Sequence, residues 1–324
     1  MKKTFIFIAL FIGFVILAAF NNNGASEKTK KNKIKSISQL GEKLFFDTIL
    51  SKDNSISCAS CHKPEFAFSD NVALSFGIDS IKTKRNAPSV MNVEGFSRFF
   101  WDGRASSLEQ QALMPIEHPD EMNLPIDQAV KRLNDDPEYA KLFKKFFKRS
   151  VTKEDIGKSL SAFQKSLETG NTPFDRWMMD QEDGMNESAI RGRIIFNDKG
   201  KCFDCHFGPD FTGEEFKNIG LYNAKELNDA GRFEITKESS DLGKFKVPGL
   251  RNVAVTGPYM HNGMFSTLRE AIEFYNQPEK FVQNSINTDS LILIPLNLTE
   301  QEINDIEEFL KALTDDRFSS ATKQ

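Results

Sequence analysis

The chain has 324 residues, of which 39% are hydrophobic and 27% are charged, and its formal net charge at pH 7 is −4. This composition is typical of a globular protein, and the length predicts about two domains. The weakly acidic balance excludes the basic footprint of a protein that binds nucleic acid.

The N-terminus has the pattern of an export signal. Lys2 and Lys3 precede an uninterrupted apolar run over residues 5–20, and a polar, lysine-rich stretch follows over residues 21–35. A basic start followed by an apolar stretch predicts secretion, and the run is a little shorter than the roughly 20 residues that cross a bilayer. We therefore expect residues 1–20 to be a removed signal peptide or an uncleaved membrane anchor. Residues 21–35 are expected to be a disordered tether, with the body of the protein in the periplasm.

All four cysteines belong to two Cys-x-x-Cys-His pentads. The pentads are Cys58-Ala-Ser-Cys61-His62 and Cys202-Phe-Asp-Cys205-His206. The two thiols of such a pentad can form thioether bonds to a porphyrin edge, and the adjacent histidine can ligate the iron. A redox dithiol would not need the histidine, and zinc ribbons usually place their cysteine pairs about 15–20 residues apart, far closer than these pentads. The sequence therefore predicts two covalent haem c groups, with His62 and His206 as the proximal iron ligands.

Helical periodicity dominates the rest of the chain. Apolar residues recur at mostly helical spacing over residues 37–44, 107–114, 126–133, 137–148, 153–167 and 188–196. A last helix is predicted after Thr299, which forms a capping box with Glu302. Strand signals are few and short, at residues 245–247 and 291–294.

A faint internal repeat connects the two halves of the chain. Gly, Phe and Asp recur at the same spacing before the two pentads, as Gly41, Phe45 and Asp47 and as Gly192, Phe196 and Asp198. Each haem is therefore expected to have its own helix leading into its attachment loop. We predict a mainly α fold of two cytochrome c-like haem domains with few short strands. The domains are predicted over residues 36–172 and 173–324, divided at the helix-breaking segment 168–173.

Further motifs lie between and after the pentads. They are Arg85-Asn-Ala-Pro88, Phe100-Trp-Asp-Gly-Arg104, Gln111 with Pro115 and Glu121, Val247-Pro-Gly-Leu-Arg-Asn252, and Thr256-Gly-Pro-Tyr-Met-His-Asn-Gly263. With the pentads, they make residues 36–316 resemble the bacterial dihaem cytochrome c peroxidase family, which includes the MauG-type enzymes. The resemblance implies two haems that face each other across a domain interface, with peroxide reacting at the N-terminal haem and electrons handled at the C-terminal haem.

The resemblance also implies roles for three residues near the peroxide haem. Trp101 corresponds to the tryptophan that lies between the haems and relays electrons, although a Trp is often simply part of a core. Gln111 and Glu121 correspond to the distal pocket, where an amide holds the bound oxygen and a carboxylate moves a proton between the peroxide oxygens. From the residues alone, Glu117 or Asp120 could serve equally well as the carboxylate.

A calcium site between the domains is implied in the same way. Asn86, Thr256 and Pro258 match the family's ligands, which are one side-chain oxygen and two backbone carbonyls, and oxygen ligands suit Ca²⁺.

The two histidines outside the pentads, His118 and His261, are expected to be structural.

Two positions depart from the pattern of typical family members. Where those members have a histidine that blocks the peroxide haem until the enzyme is reduced, this sequence has Ile78, so we expect an open site that needs no activation. Where they have a methionine as outer ligand of the second haem, this sequence has Tyr275, as MauG-type members do. Tyr275 could instead be core packing in a helical stripe, with Met260 or Met264 as the ligand.

The predicted function is that of a periplasmic dihaem peroxidase. It would reduce hydrogen peroxide with electrons from a small redox protein, a cytochrome c or a cupredoxin. One alternative is a MauG-type enzyme that uses a high-valent dihaem state to oxidise a partner protein. The other is a dihaem electron carrier without peroxidase turnover.

Overall fold

The computed structural model describes residues 33–318, and the chain there is mainly helical. The predicted signal or anchor over residues 1–20 and most of the tether over residues 21–35 lie outside this part. From Ile34 onward the described residues form one compact unit. Within residues 33–318, every helix is too short or too polar to cross a membrane.

Ten α-helices are found between residues 33 and 318. They are α1 (Ile37–Phe46), α2 (Leu108–Glu117), α3 (Ile126–Asp135), α4 (Pro137–Phe147), α5 (Lys153–Lys165), α6 (Pro173–Met178), α7 (Glu187–Asn197), α8 (Phe233–Thr236), α9 (Leu268–Asn276) and α10 (Glu300–Lys311). The two strands of that part, β1 (Phe216–Lys217) and β2 (Phe245–Lys246), pair antiparallel, with Phe216 opposite Lys246. The mainly α prediction is therefore confirmed.

One local expectation was wrong. Residues 291–294 were predicted as a strand from their apolar, β-branched run, but Ser290–Leu293 is a 3₁₀ turn. No partner strand pairs with this segment in the described chain, and Ile292 and Ile294 line a cavity instead. The helix-breaking segment 168–173 ends where α6 begins: Pro173 occupies the first helical turn, where proline is tolerated, and Thr172 caps the helix.

The internal repeat is visible in how the helices pack. In each half a glycine lets two helices touch: a Cβ added at Gly41 would lie 1.8 Å from the Ser159 carbonyl oxygen, and one at Gly192 would lie 1.8 Å from that of Asp305. One turn later, the rings of Phe45 and Phe163 meet edge to face at 5.1 Å, as do those of Phe196 and Phe309 in the second half. α1 with α5 and α7 with α10 are therefore equivalent helix pairs.

Two hydrophobic clusters surround these helix pairs. The first is formed mainly by residues 40–167 and contains Phe45, Phe143 and Leu160, whereas the second is formed by residues 185–313 and contains Phe196 and Phe309. Their limits fit a boundary near residue 172, which stays a prediction because the described residues cluster as one unit.

The repeat continues through the loops that follow each pentad. Asn92 and Asn252 occupy the same position relative to Pro88 and Pro248, and both donate Nδ2–H to Oγ1 of Thr169 at 2.7 Å. Thr169 lies in the segment that joins the two halves, so one hydroxyl ties the equivalent loops together.

The turns that lead into α2 and α9 are also equivalent. The amide of Phe99 donates to the carbonyl of Ala105, and that of Tyr259 donates to Phe265. Each turn needs a glycine in the left-handed region, at Gly103 (φ +71°) and Gly263 (φ +64°). Ser107 and Thr267 then cap the two helices. As a result, α2 and α9 are equivalent helices in the two halves.

Candidate functional site

The first attachment loop lines a cavity of about 910 Å³. Cys58 begins a single 3₁₀ turn, and Cys61 and His62 follow it directly. Nδ1 of His62 lies 3.1 Å from the carbonyl oxygen of Phe68. When Nδ1–H donates to this carbonyl, the lone pair of Nε2 is left for a metal ion.

The second attachment loop lines a smaller cavity of about 180 Å³. Cys202, Cys205 and His206 form a part of its wall, and Nδ1 of His206 lies 2.9 Å from the carbonyl oxygen of Phe211. The two attachment histidines are therefore oriented by equivalent backbone contacts, which come from the residues just after each pentad.

The chemistry of both loops fits a covalently attached haem. All four thiols are free in the structure, so none is used in a disulfide. Burial raises the pKa of Cys58 and of Cys202 to about 12, and burial lowers the pKa of His62 and of His206. A neutral imidazole can ligate a haem iron, and a pair of free thiols can form the two thioether bonds to the porphyrin.

Gln111 and Glu121 lie on the wall of the larger cavity, which the first attachment loop also lines. Among the residues that the structure describes, no partner lies within hydrogen-bond distance of the side-chain amide of Gln111. The Glu121 carboxylate has only a contact of 3.8 Å with Nδ1 of His118. Both side chains are only partly buried, and their polar atoms are available to a molecule that enters the cavity. Glu117 and Asp120, the alternatives left open by the sequence, do not line this cavity.

The surroundings of Glu121 favour its protonated form. Burial raises the pKa of Glu121, and the nearby His118 and Arg104 oppose this effect only in part. The amide of Asp120 donates to Nδ1 of His118 at 3.2 Å, so this nitrogen is an acceptor and gives Glu121 no hydrogen bond. A carboxyl group with a raised pKa beside a cavity is suited to exchange a proton with a ligand there.

A short segment packs against the backbone of Glu121. The amide of Ile78 donates to the Glu121 carbonyl at 2.7 Å, and Ile78 itself is fully buried. A Cβ added at Gly77 would lie only 2.1 Å from the carbonyl oxygen of Asp120. The position of Ile78, which in typical family members is a histidine, is thus occupied by an apolar side chain next to the Glu121 turn.

Trp101 lies between the two cavities and lines both of them. Its Nε1–H donates to the carbonyl of Asn86 at 2.9 Å, and its ring meets that of His261 at 6.5 Å. His261, which the sequence suggested was only structural, is itself stacked on Phe245 at 3.7 Å. A continuous aromatic contact therefore runs from Trp101 into the wall of the smaller cavity.

Tyr275 lines the smaller cavity together with the second attachment loop. Its hydroxyl has no hydrogen-bond partner within residues 33–318, unlike Tyr139, which donates to Asp47, and Tyr259, which donates to Val253. Burial beside the two cysteines raises the pKa of Tyr275 far above its usual range.

The two methionines that could replace Tyr275 as a ligand are in different places. Met260 lines both cavities. Met264 is exposed and lines neither, and Nδ2 of Asn262 lies 3.7 Å from its sulfur. Met260 is therefore the one alternative of the two that borders the site.

The three residues predicted to bind calcium come together on the wall of the larger cavity. Oδ1 of Asn86 and the carbonyl oxygens of Thr256 and Pro258 accept no hydrogen bond from the described part of the chain. The Asn86 amide nitrogen donates to the carbonyls of Val72 and Ala73, which turns Oδ1 the other way. Within residues 33–318 no cluster of acids, histidines and cysteines could hold a metal ion, so a cation here would rely on neutral oxygens.

One site residue was missed by reasoning from the sequence. Lys246 is almost fully buried and lines both cavities. The internal repeat indicates this position, because Lys246 lies two residues before Pro248 and Asn86 lies two residues before Pro88. Reading the two loops against each other would have found it.

The fold and the site define a c-type cytochrome with two attachment loops and, beside the first, a cavity lined by Gln111 and Glu121. The family model for di-haem cytochrome c peroxidases matches residues 35–183. The methylamine utilization protein MauG of Methylorubrum extorquens is 37% identical over 280 residues, which cover 85% of this chain and 77% of MauG. The chain therefore belongs to the dihaem cytochrome c peroxidase and MauG family.

Other relatives extend this similarity to both branches of the family. The cytochrome c551 peroxidase of Nitrosomonas europaea is 34% identical, with 87% of this chain and 80% of that protein covered. The crystal structure of a MauG-like protein associated with microbial copper homeostasis superposes with a TM-score of 0.79 at 30% identity, over 89% of this chain and 92% of that one.

Proposed function

We propose that this chain is a periplasmic dihaem peroxidase that reduces hydrogen peroxide with electrons from a small redox protein. As a member of the family, it is an oxidoreductase that acts on hydrogen peroxide. The observation that carries the proposal is the larger cavity, which is lined by the first attachment loop together with an amide and a carboxyl group that have no hydrogen-bond partner in the described part of the chain. An electron carrier without turnover would have no use for such a pocket.

Haems held by Cys58, Cys61 and His62 and by Cys202, Cys205 and His206 would supply two one-electron redox centres. The reaction consumes one peroxide, two protons and two electrons and yields two waters. Gln111 donates a hydrogen bond from its amide and orients the peroxide. Glu121 accepts the proton of one peroxide oxygen and delivers it to the other, so that the O–O bond breaks with water as the leaving group.

Trp101 connects the two sites in this proposal. It lines both cavities, and its indole N–H is fixed by the Asn86 carbonyl, so the ring is held in one orientation. Calcium held by Asn86, Thr256 and Pro258 would fix the same region, because the Asn86 backbone holds Trp101 and its side chain would bind the ion. The signal or anchor over residues 1–20 would deliver the protein to the periplasm.

A second candidate, the MauG-type oxidation of a partner protein, is favoured by Tyr275. Its hydroxyl has no described partner and faces the second attachment loop, and an anionic oxygen ligand stabilises oxidised iron. Such a haem would store an oxidising equivalent and accept electrons poorly from ordinary cytochromes.

Steady-state turnover separates these candidates. Peroxide consumption is measured with a reduced small cytochrome c or cupredoxin as donor, for the wild type and for Glu121→Gln. We expect donor oxidation at two electrons per peroxide that depends on Glu121. If peroxide reacts but no such donor is oxidised, the MauG-type function is supported. If peroxide does not react at all, the protein is an electron carrier.

A further inference from the structure

A buried lysine lies where the two cavities meet. Lys246 ends β2, is 7% exposed and contributes to the walls of both cavities. Its backbone amide donates to the Trp101 carbonyl at 2.7 Å, which fixes its position next to the residue that joins the two sites. Its ammonium lies 3.5 Å from the centre of the Phe96 ring.

The charge of Lys246 is not balanced by the protein. Among residues 33–318 no carboxylate lies within 4 Å of its Nζ, and no side chain accepts a hydrogen bond from it. The aromatic face of Phe96 attracts the ammonium but replaces only a part of its lost hydration. Burial lowers the pKa of Lys246 to about 8, and Glu214 counteracts this only at longer range. A buried ammonium in this situation is expected to face an anion.

The internal repeat relates Lys246 to an equivalent position in the first half of the chain. Lys246 is the counterpart of Asn86, and the two make reciprocal bonds: the Asn86 amide donates to the His261 carbonyl, and the Lys246 amide donates to the Trp101 carbonyl, each at 2.7 Å. His261 is in turn the counterpart of Trp101, since each precedes its turn glycine by two residues.

At the Asn86 position the chain offers neutral oxygens that suit a cation, from Asn86, Thr256 and Pro258. At the Lys246 position the counterparts of Thr256 and Pro258 are Phe96 and Arg98, and the ammonium lies over the Phe96 ring. One half of the repeat is thus built to receive a cation, whereas the other half carries one on its own side chain. Both positive charges would flank the Trp101–His261 contact.

We propose that the Lys246 ammonium is a carboxylate-binding site for a haem propionate, at the place where the two haem sites approach each other. A haem carries two propionates, and both cavities that must receive haems are lined by Lys246. The pairing would neutralise the buried charge and fix the edge of the haem next to Trp101. It rests on the two haem sites and not on the peroxide chemistry, so it can fail while the peroxidase function holds.

The test compares redox titrations of both haems in the wild type, Lys246→Gln and Lys246→Arg. Removing a positive charge beside a haem favours its ferric state, so the midpoint potential of one haem should fall in Lys246→Gln beyond the error of the titration. Lys246→Arg, which keeps the charge, should stay close to the wild type. The propionate-bending bands in the resonance Raman spectrum should shift in Lys246→Gln alone.

Lys244→Met is the matched control. Lys244 precedes β2, pairs with Asp241 at 3.7 Å and lines neither cavity, so its removal should leave the potentials and the Raman bands unchanged. If Lys246→Gln also leaves them unchanged, the proposal is wrong. It is equally wrong if the wild-type potentials vary with chloride or phosphate concentration, because a dissolved anion would then be the occupant.

The haem content of the variants also tests the role of the Lys246 charge. Haem content is measured by the pyridine haemochrome of each purified protein. If Lys246→Gln loads fewer haems and Lys246→Arg restores both, the requirement for a positive charge is supported. If both variants lose haem equally, the side chain matters for its shape and the carboxylate site is refuted.

Discussion

At the scale of single residues, the site is marked by polar groups that lack partners. Gln111, Glu121 and Tyr275 each face a cavity, whereas equivalent groups elsewhere, such as Gln110 and Tyr139, are hydrogen-bonded. Their polar atoms remain available to a molecule that enters the cavity. They are therefore the positions where function, rather than packing, explains the residue.

Replacing Glu121 by Gln should slow the reaction with peroxide by about 10²–10⁴-fold, the usual contribution of a positioned proton carrier. The isosteric amide keeps the shape of the cavity but cannot take up a proton. Stopped-flow absorbance after peroxide addition measures the rate, and unchanged spectra of both haems are the control. A decrease of less than threefold would show that Glu121 does not move the proton.

The pH dependence of this reaction should report the same group. Because burial raises the pKa of Glu121, the carboxyl stays protonated to a higher pH than a solvated glutamate, whose pKa is about 4.3. The rate should therefore fall as the pH is lowered through a value clearly above 4.3. In Glu121→Gln this acid limb should be absent, and its persistence in the variant would assign the limb to another group.

Replacing Tyr275 by Met should raise the midpoint potential of the second haem alone, since a neutral thioether stabilises ferric iron less than a phenolate does. The near-infrared charge-transfer band of methionine–iron ligation should also be present in this variant. Tyr139→Phe, which removes a buried hydroxyl in the other hydrophobic cluster, is the control. If Tyr275→Phe changes neither the low-spin spectrum nor the potentials, Tyr275 is core packing and Met260 is the next candidate.

At the scale of elements, the segment around Gly77 positions the turn that carries Glu121. Ile78 donates its amide to the Glu121 carbonyl, and no side chain fits at Gly77. Gly77→Ala would have to displace the turn by about 1 Å, and a displacement of this size can reduce a rate roughly 10²-fold. Peroxide kinetics and their pH profile measure the effect.

Gly95→Ala is the control for this substitution, because a Cβ at Gly95 meets nothing within 4 Å. It should react with peroxide as the wild type does. If Gly77→Ala keeps both the wild-type rate and the wild-type pH profile, the segment does not position Glu121. A loss of rate with an unchanged profile would indicate general destabilisation instead.

The elements that could be predicted from the sequence are those with a local signal. The helices before both pentads and the capped α10 follow from periodicity and from the capping box of Thr299. Residues 291–294 have the same kind of local signal for a strand, but strands also need a partner edge, which lies outside any local window. The positions of Gln111 and Glu121 in one cavity could be predicted only through the family resemblance. The position of Lys246 beside both cavities depends on hydrogen bonds between segments that are distant in the sequence.

At the scale of the whole molecule, the two halves are joined through Trp101 and the groups around it. Asn86, Thr256 and Pro258 belong to distant segments, so a calcium ion bound by them would link the halves. Treatment with a strong Ca²⁺ chelator should therefore abolish most of the peroxide turnover while the covalent haems remain. Added Ca²⁺ should restore turnover and Mg²⁺ should not, because Mg²⁺ keeps its waters and demands a tighter octahedron. Full turnover in the metal-free protein would contradict the calcium site.

We expect peroxide to react at the first haem site without prior reduction, because Ile78 stands at the position of the blocking histidine of typical family members and Glu121 lines the cavity beside it. The most direct test is stopped-flow addition of one equivalent of hydrogen peroxide to the fully ferric protein, with spectra recorded at both haems. We predict a spectral change at once, from a resting protein in which electron paramagnetic resonance shows one high-spin and one low-spin haem. Two low-spin haems, with no reaction until one electron has been added, would show that the first haem site is blocked in the resting protein.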